Sequence, residues 1–219
     1  GEDGYWMEPE NLGDVINTPY LEQCPFIHPD GKTLYFASEG HPGMGSADLF
    51  YSTRDENGVW SKPINLGYPI NTQNREISLS VSSNGTTAYF SSDRDKTLGD
   101  LDIYSFELPP AVQAEQVTWV NAIVTDAKTK QPLKASVQLM NIATGEIVAS
   151  SNSDPKTGEF LIVLPSGNDY GLFVQREGYL FHSENFSLKN VMPDAPYLIK
   201  VGLQPDRKST RLNSSHAFL

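Results

Sequence analysis

General acid–base chemistry needs carboxylates or histidines that converge on one cleft, and this sequence is rich in carboxylates, with 27 Asp and Glu. Their placing speaks against catalysis. Asp48 and Asp102 stand at the same point of two similar stretches, each directly before a strand-like run. A carboxylate that returns in this way is expected to cap a turn, its oxygens accepting nearby backbone N–H groups. The densest acidic stretch runs from Asp93 to Asp102 and has part of a calcium-loop pattern. Gly99 falls at its seventh place, no Glu closes it and no helix flanks it, so a solvated loop is expected. His28, His41, His182 and His216 lack metal-ligand spacing. His28 aligns with Ser82 and His41 with Asp95, so the repeat described below demands neither histidine. Cys24, the single cysteine, excludes an internal disulfide and a cysteine-based zinc site; it reads as a small buried strand residue. Neither a nucleophile elbow nor a phosphate loop is present. Trp6 and Trp60, with Tyr35, Phe36, Tyr89 and Phe90, could stack on a sugar, but their repetition assigns them to packing. The expectation is no catalytic residue, no metal and no cofactor.

The elements that hold these residues come from an internal repeat. Trp6, Pro9, Asn11, Leu12 and Gly13 return as Trp60, Pro63, Asn65, Leu66 and Gly67. Ile16-Asn17-Thr18 returns as Ile70-Asn71-Thr72, Glu22 as Glu76, and Gly31 as Gly85. Thr33, Tyr35, Phe36, Ser38, Gly45 and Asp48 return as Thr87, Tyr89, Phe90, Ser92, Gly99 and Asp102. The offset is 54 throughout, and 16 of the 47 positions from 6 to 52 are identical without a gap. Within a repeat, turn chemistry separates short strands: 22–27, 33–38 and 48–53, with a fourth opening at Val59-Trp60. Four antiparallel strands per unit of this length predict β-propeller blades. One full blade, most of a second and one earlier outer strand are present, so residues 1–108 read as the last blades of a propeller that began upstream.

After the linker read at 109–116 the repeat stops. Strands are expected at 117–125, 134–141, 146–151, 159–164, 169–175 and 197–203, with a seventh within 179–188, which together predict a β-sandwich over 117–204. The charge divides at the same place. Of the net −11, residues 1–109 carry 17 acidic against 6 basic side chains, and the remainder carries ten of each. An acidic first half repels phosphate, which excludes nucleic acid as an expected partner. No apolar run reaches the length of a membrane-spanning helix.

Residues 60–67, 28–36 and 45–51 resemble TolB-like (WD-repeat-like) propeller repeats of bacterial envelope proteins, with Ser82-Ser83-Asn84-Gly85 replacing the usual Pro-Asp-Gly turn of the second unit. Val124 to Leu133, Asp154 to Phe160, Leu164 to Tyr170 and Arg176 to Tyr179 resemble a carboxypeptidase-regulatory-like domain, a transthyretin-like sandwich without catalytic residues. Ala122 stands where that family usually has Gly. The order of the two, with Tyr179 to Phe186, is similar to OmpA-family envelope proteins of Bacteroidota, some of which belong to type IX secretion or gliding machinery.

That resemblance implies a non-catalytic scaffold on the periplasmic side of the outer membrane. Its partners would be envelope proteins, and peptidoglycan would be reached only through a domain downstream of this chain. The alternatives are an accessory propeller and sandwich of a larger hydrolase or peptidase, or a secreted glycan-binding module. Residues 205–219 read as a disordered tail, with 207–216 similar to translated adaptor sequence.

Overall fold

The computed structural model describes residues 8–95, 98–191 and 196–206, and the chain is all-β with several sheets. It divides into two compact units, the boundary falling between Ala114 and Glu115. Trp6 and the 207–219 tail lie outside the described residues.

The first unit contains two antiparallel meanders. β1 (Glu22–Ile27), β2 (Thr33–Ser38), β3 (Asp48–Thr53) and β4 (Ile64–Asn65) form one sheet in sequence order. β5 (Glu76–Val81), β6 (Thr87–Ser92) and β7 (Asp102–Glu107) form a second. The repeat thus sets the strands as well as the motifs: β2 pairs β3 from Thr33↔Thr53 to Ser38↔Asp48, and β6 pairs β7 from Thr87↔Glu107 to Ser92↔Asp102. Even the irregularities recur. Cys24 and Ser78 are repeat mates, both at positive φ (51° and 58°), each inside a register shift of the β1–β2 or β5–β6 pair. A β-bulge supplies that conformation. Cys24 is accordingly only partly buried, not the buried strand residue expected, and the Ser78 hydroxyl lies 3.4 Å from its sulfur.

The fourth strand is a second correction. Trp60 makes only an isolated bridge to Arg54, and regular pairing begins at Ile64 opposite Tyr51. Pro63 lacks the N–H a ladder needs, so the strand starts beyond it. The segment read as a linker is divided. Pro110–Val112 forms a turn of 3-10 helix, and Leu108, Val112 and Ala114 pack into the first unit's core with Leu49, Leu79 and Phe90.

In the second unit, β8 (Val117–Asp126) is flanked by β11 (Glu159–Pro165), antiparallel, and β14 (Tyr197–Leu203), parallel. β9 (Ser136–Asn141), β10 (Ile147–Asn152), β12 (Asp169–Gln175) and β13 (His182–Ser187) form the other sheet, in the order β10-β9-β12-β13. Alternate residues of both sheets (Val120, Val124, Phe160, Leu172, Val174, Val201) meet in one buried cluster. Two of the stretches that carried the second resemblance, Val124 to Leu133 and Arg176 to Tyr179, meet at one end of it. The Asp126 carboxylate takes the N–H groups of Lys128 and Thr129 (both 2.8 Å) and the Tyr179 hydroxyl (2.9 Å).

Candidate functional site

The polar residues that recur in the first unit form two copies of one hydrogen-bonded node. In the second copy the Glu76 carboxylate, fully buried, accepts Thr72 N–H (3.0 Å), the Thr72 hydroxyl (2.7 Å) and the Ser92 hydroxyl (2.9 Å). In the first copy Glu22 accepts the same three donors from Thr18 and Ser38 at 2.8, 2.7 and 2.8 Å. Each threonine hydroxyl in turn takes the N–H two residues on, Tyr20 or Asn74, both at 3.1 Å. The node ties the chain entering each sheet to the end of its second strand. Burial works to raise the Glu22 carboxyl, and the Thr18 N–H and hydroxyl, the Ser38 hydroxyl and the nearby His41 together bring it below its ordinary value.

Each node carries a nitrogenous side chain over two aromatic rings, but from different sequence positions. Arg94 lies 4.8 Å from the Phe90 ring centre and 5.0 Å from that of Tyr104. It donates to the Ile70 carbonyl (2.7 Å) and pairs with Glu76 (3.3 Å). In the first repeat His41 packs on Phe36 and Phe50, the repeat mates of those rings, and its Nε2 lies 2.9 Å from the Ile16 carbonyl, the mate of Ile70. By sequence Arg94 aligns with Gly40. The expectation that the repeat does not demand His41 is therefore corrected: His41 fills Arg94's place from one residue further along. A long guanidinium and a short imidazole reach one carbonyl from neighbouring positions, which a gapless alignment cannot register.

The recurring asparagines and glycines make the same turn in both copies. Asn65 Oδ1 accepts Gly67 N–H (2.7 Å) and the Asn71 amide (2.7 Å); Asn11 Oδ1 does the same for Gly13 (2.8 Å) and Asn17 (3.0 Å). Gly13 and Gly67 hold positive φ of 85° and 69°, the conformation that glycine adopts without a steric penalty. Pro63 and Trp60 precede this turn, and Trp60 packs on the Leu34–Phe36–Phe50 cluster with Arg54 5.5 Å over its ring. Pro9 is exposed in the corresponding stretch.

Asp48 caps as expected. Its Oδ2 accepts Met44 N–H (2.9 Å) and Gly45 N–H (3.0 Å), while Oδ1 is buried without a hydrogen bond among the described residues. Burial raises its carboxyl above the ordinary value, and the nearby Glu76 charge adds to the rise against those two N–H groups. Asp102 accepts Leu98 N–H at 2.6 Å. At the β1–β2 turn Asp30 accepts Lys32 and Thr33 N–H (2.8 and 2.9 Å); Asn84 accepts Thr86 N–H (3.0 Å) in the other repeat, so the departure from Pro-Asp-Gly preserves the turn. His28, buried at this turn, bridges the repeats through Nε2, 3.3 Å from the Ser82 carbonyl. Against burial, which would raise it, His28 and these donors hold the Asp30 carboxyl far below the usual range.

The described aromatic residues considered for sugar stacking do not form a surface together. Tyr35, Phe36 and Phe90 are buried; Tyr89 alone of the described members is exposed, at 47%. An open cleft of about 400 Å³ beside the second node is lined by Met44, Tyr68, Gln73, Asn74 and Arg94. Sequence reasoning left Glu22, Glu76, Thr18, Thr72, Ser38 and Ser92 out of the defining set, although all six are identical across the repeat.

No protein-family model matches this sequence, and no curated protein matches it. Among solved structures, the chain is similar to the group B streptococcus pilus 2b backbone protein at 13% identity over 86% of this chain and 85% of that one, with a TM-score of 0.39. It is also similar to the shaft pilin SpaA of Lactobacillus rhamnosus GG at 10% identity over 74% and 73%, TM-score 0.33. A third likeness is a C-terminal fragment of the pilus adhesin SpaC from the same organism, at 13% over 79% and 76%, TM-score 0.34. At these TM-scores the likenesses carry no argument about fold, function or assembly.

Proposed function

We propose that this chain is a non-catalytic scaffold and interaction module of the bacterial cell envelope, built from propeller blades and a transthyretin-like sandwich. One observation supports the reading above others: the polar residues that recur are spent within the protein. Glu22, Glu76, Asn65, Asn71, Asp48 and Asp102 each accept or donate to backbone groups and neighbouring hydroxyls that hold strand ends and loops. A repeat whose polar groups serve its own frame leaves its outer surfaces for recognition. The resemblance to OmpA-family envelope proteins supplies the place, the periplasmic side of the outer membrane, and the partners, envelope proteins of the secretion or gliding kind. Peptidoglycan contact belongs in this reading to a domain downstream.

The test is co-sedimentation with purified peptidoglycan sacculi. The 219-residue chain is expected to remain in solution, and the full-length protein that contains it is expected to pellet. Pelleting of this chain alone would overturn the assignment of wall contact to a downstream domain.

A further inference from the structure

The open cleft beside the second node has walls from both described repeats. Met44 stands in the loop between β2 and β3, Tyr68, Gln73 and Asn74 in the segment entering the second repeat, and Arg94 and Asp95 directly after β6. Backbone contacts lock the two walls together. Ser46 N–H donates to the Asn74 carbonyl (3.2 Å) and Glu76 N–H to the Ala47 carbonyl (2.9 Å), and a Cβ at Gly45 would collide with the Asn74 carbonyl oxygen. Tyr68 is held from both sides, because Gly67 N–H donates to Asn65 and the Pro69 carbonyl accepts from Arg94 Nη1 (3.2 Å). The cleft is therefore shaped before any ligand arrives, and its volume of about 400 Å³ is that of a small-ligand site. Neither wall needs a residue from outside these two repeats.

Its lining does not serve the shared frame. Arg94 belongs to the node, but the side chains of Met44, Tyr68, Gln73 and Asp95 do not, and their repeat mates are Leu98, Asp14, Pro19 and His41. The chemistry of the cleft is thus particular to this one place. The Tyr68 side chain is 79% exposed at the mouth, with Met44 half exposed. Among the described residues the Gln73 amide and the Asp95 carboxylate have no hydrogen-bond partner, and Arg94 Nη1 keeps one hydrogen beyond that given to Pro69. An exposed ring beside such groups suits a pyranose, whose C–H face packs on the ring while its hydroxyls meet the amide, the carboxylate and the guanidinium. Charge narrows the class. Arg94 is already paired with Glu76 (3.3 Å), so Asp95 leaves the described lining net negative, which disfavours phosphorylated, sulfated and uronic sugars. We infer that this cleft binds a neutral hexose oligosaccharide. The inference goes beyond the envelope reading and does not rest on it, and wall contact stays with a downstream domain.

Isothermal titration calorimetry of the 219-residue chain with maltohexaose, cellohexaose and mannohexaose tests it, with hexagalacturonate as the charged counterpart. At least one neutral chain is expected to bind with a Kd of about 1 mM or tighter, and hexagalacturonate about tenfold more weakly or not at all. Tyr68→Ala should weaken the neutral sugar about tenfold and Gln73→Ala about threefold. Both side chains are exposed, so the thermal unfolding midpoint should not move. Tyr20→Ala removes a comparably exposed ring (71%) outside the cleft and should leave the affinity unchanged. Failure of all three neutral chains to bind overturns the inference. So does hexagalacturonate binding as tightly as they do, or an affinity that Tyr68→Ala does not lower or that Tyr20→Ala lowers as far. The sacculus experiment is independent of these outcomes, so the two readings fail separately.

Discussion

The two repeats of the first unit share strands, register and bulge, and differ in how far each is enclosed. Glu76 is fully buried and paired with a permanent cation, Arg94, whereas Glu22 is only partly buried and has His41 beside it. Asn71 is buried against β3, while its mate Asn17 has no such strand among the described residues. Gly85 is enclosed and Gly31 is open. The same residues at the same spacing therefore carry different energies, because the second repeat's entry segment is held against β3 of the first, while in the first repeat's entry segment Ile16 is buried and Asn11 to Gly13 are exposed. Identity in sequence marks a shared geometry; enclosure sets its energetic weight.

Paired substitutions measured by urea unfolding break this comparison at its strongest point. Glu76→Ala strands the Thr72 and Ser92 donors and leaves Arg94 unpaired, and is expected to cost about 4 kcal/mol, the scale of breaking a buried ion pair. Glu22→Ala should cost about 1 kcal/mol. Equal losses would show that enclosure does not separate the nodes. Next in size are the turn glycines. Both hold positive φ (71° and 74°), but a Cβ at Gly85 would lie 2.4 Å from the Ala114 carbonyl oxygen, and one at Gly31 meets nothing within 4 Å. Gly85→Ala should cost about 3 kcal/mol, strain and overpacking together, against about 1 for Gly31→Ala. Asn71→Ala, which removes two buried bonds to Leu49, should cost about 2 kcal/mol and Asn17→Ala about 0.5.

The smallest effect is a pH dependence at the first node. The Glu22 carboxyl sits below its ordinary value of 4.5, so the ionised form is favoured in the folded state. Its contribution is fully present above that value and is lost as pH falls through the lower, folded one. His41→Ala removes one of the groups that lower it, so the acid loss of stability tied to Glu22 should be smaller and end at a higher pH. Acid titrations of the two proteins, followed by circular dichroism, check the direction.

Much of this frame was legible in the sequence. β1, β2, β3 and β12 run over the residues expected, because turn chemistry (Pro29-Asp30-Gly31, Pro165-Ser166-Gly167) bounds aromatic and β-branched runs on both sides. Three things were not. β4 begins four residues after Trp60, since the missing N–H of Pro63 interrupts a run whose apolar pattern alone suggests a strand. The bulge at Cys24 and Ser78 has no glycine to announce its positive φ. The exchange of His41 for Arg94 is invisible to alignment, because two side chains of different length meet one carbonyl from positions one residue apart.

The most direct measurement is residue-resolved amide exchange of Leu49 and Ile103. Leu49 N–H, held by Asn71, should exchange only with unfolding of the unit, while Ile103 N–H on the open edge should exchange about a hundredfold faster or more. Equal protection of the two amides would contradict the account, for it would mean that the edge of β7 is already covered.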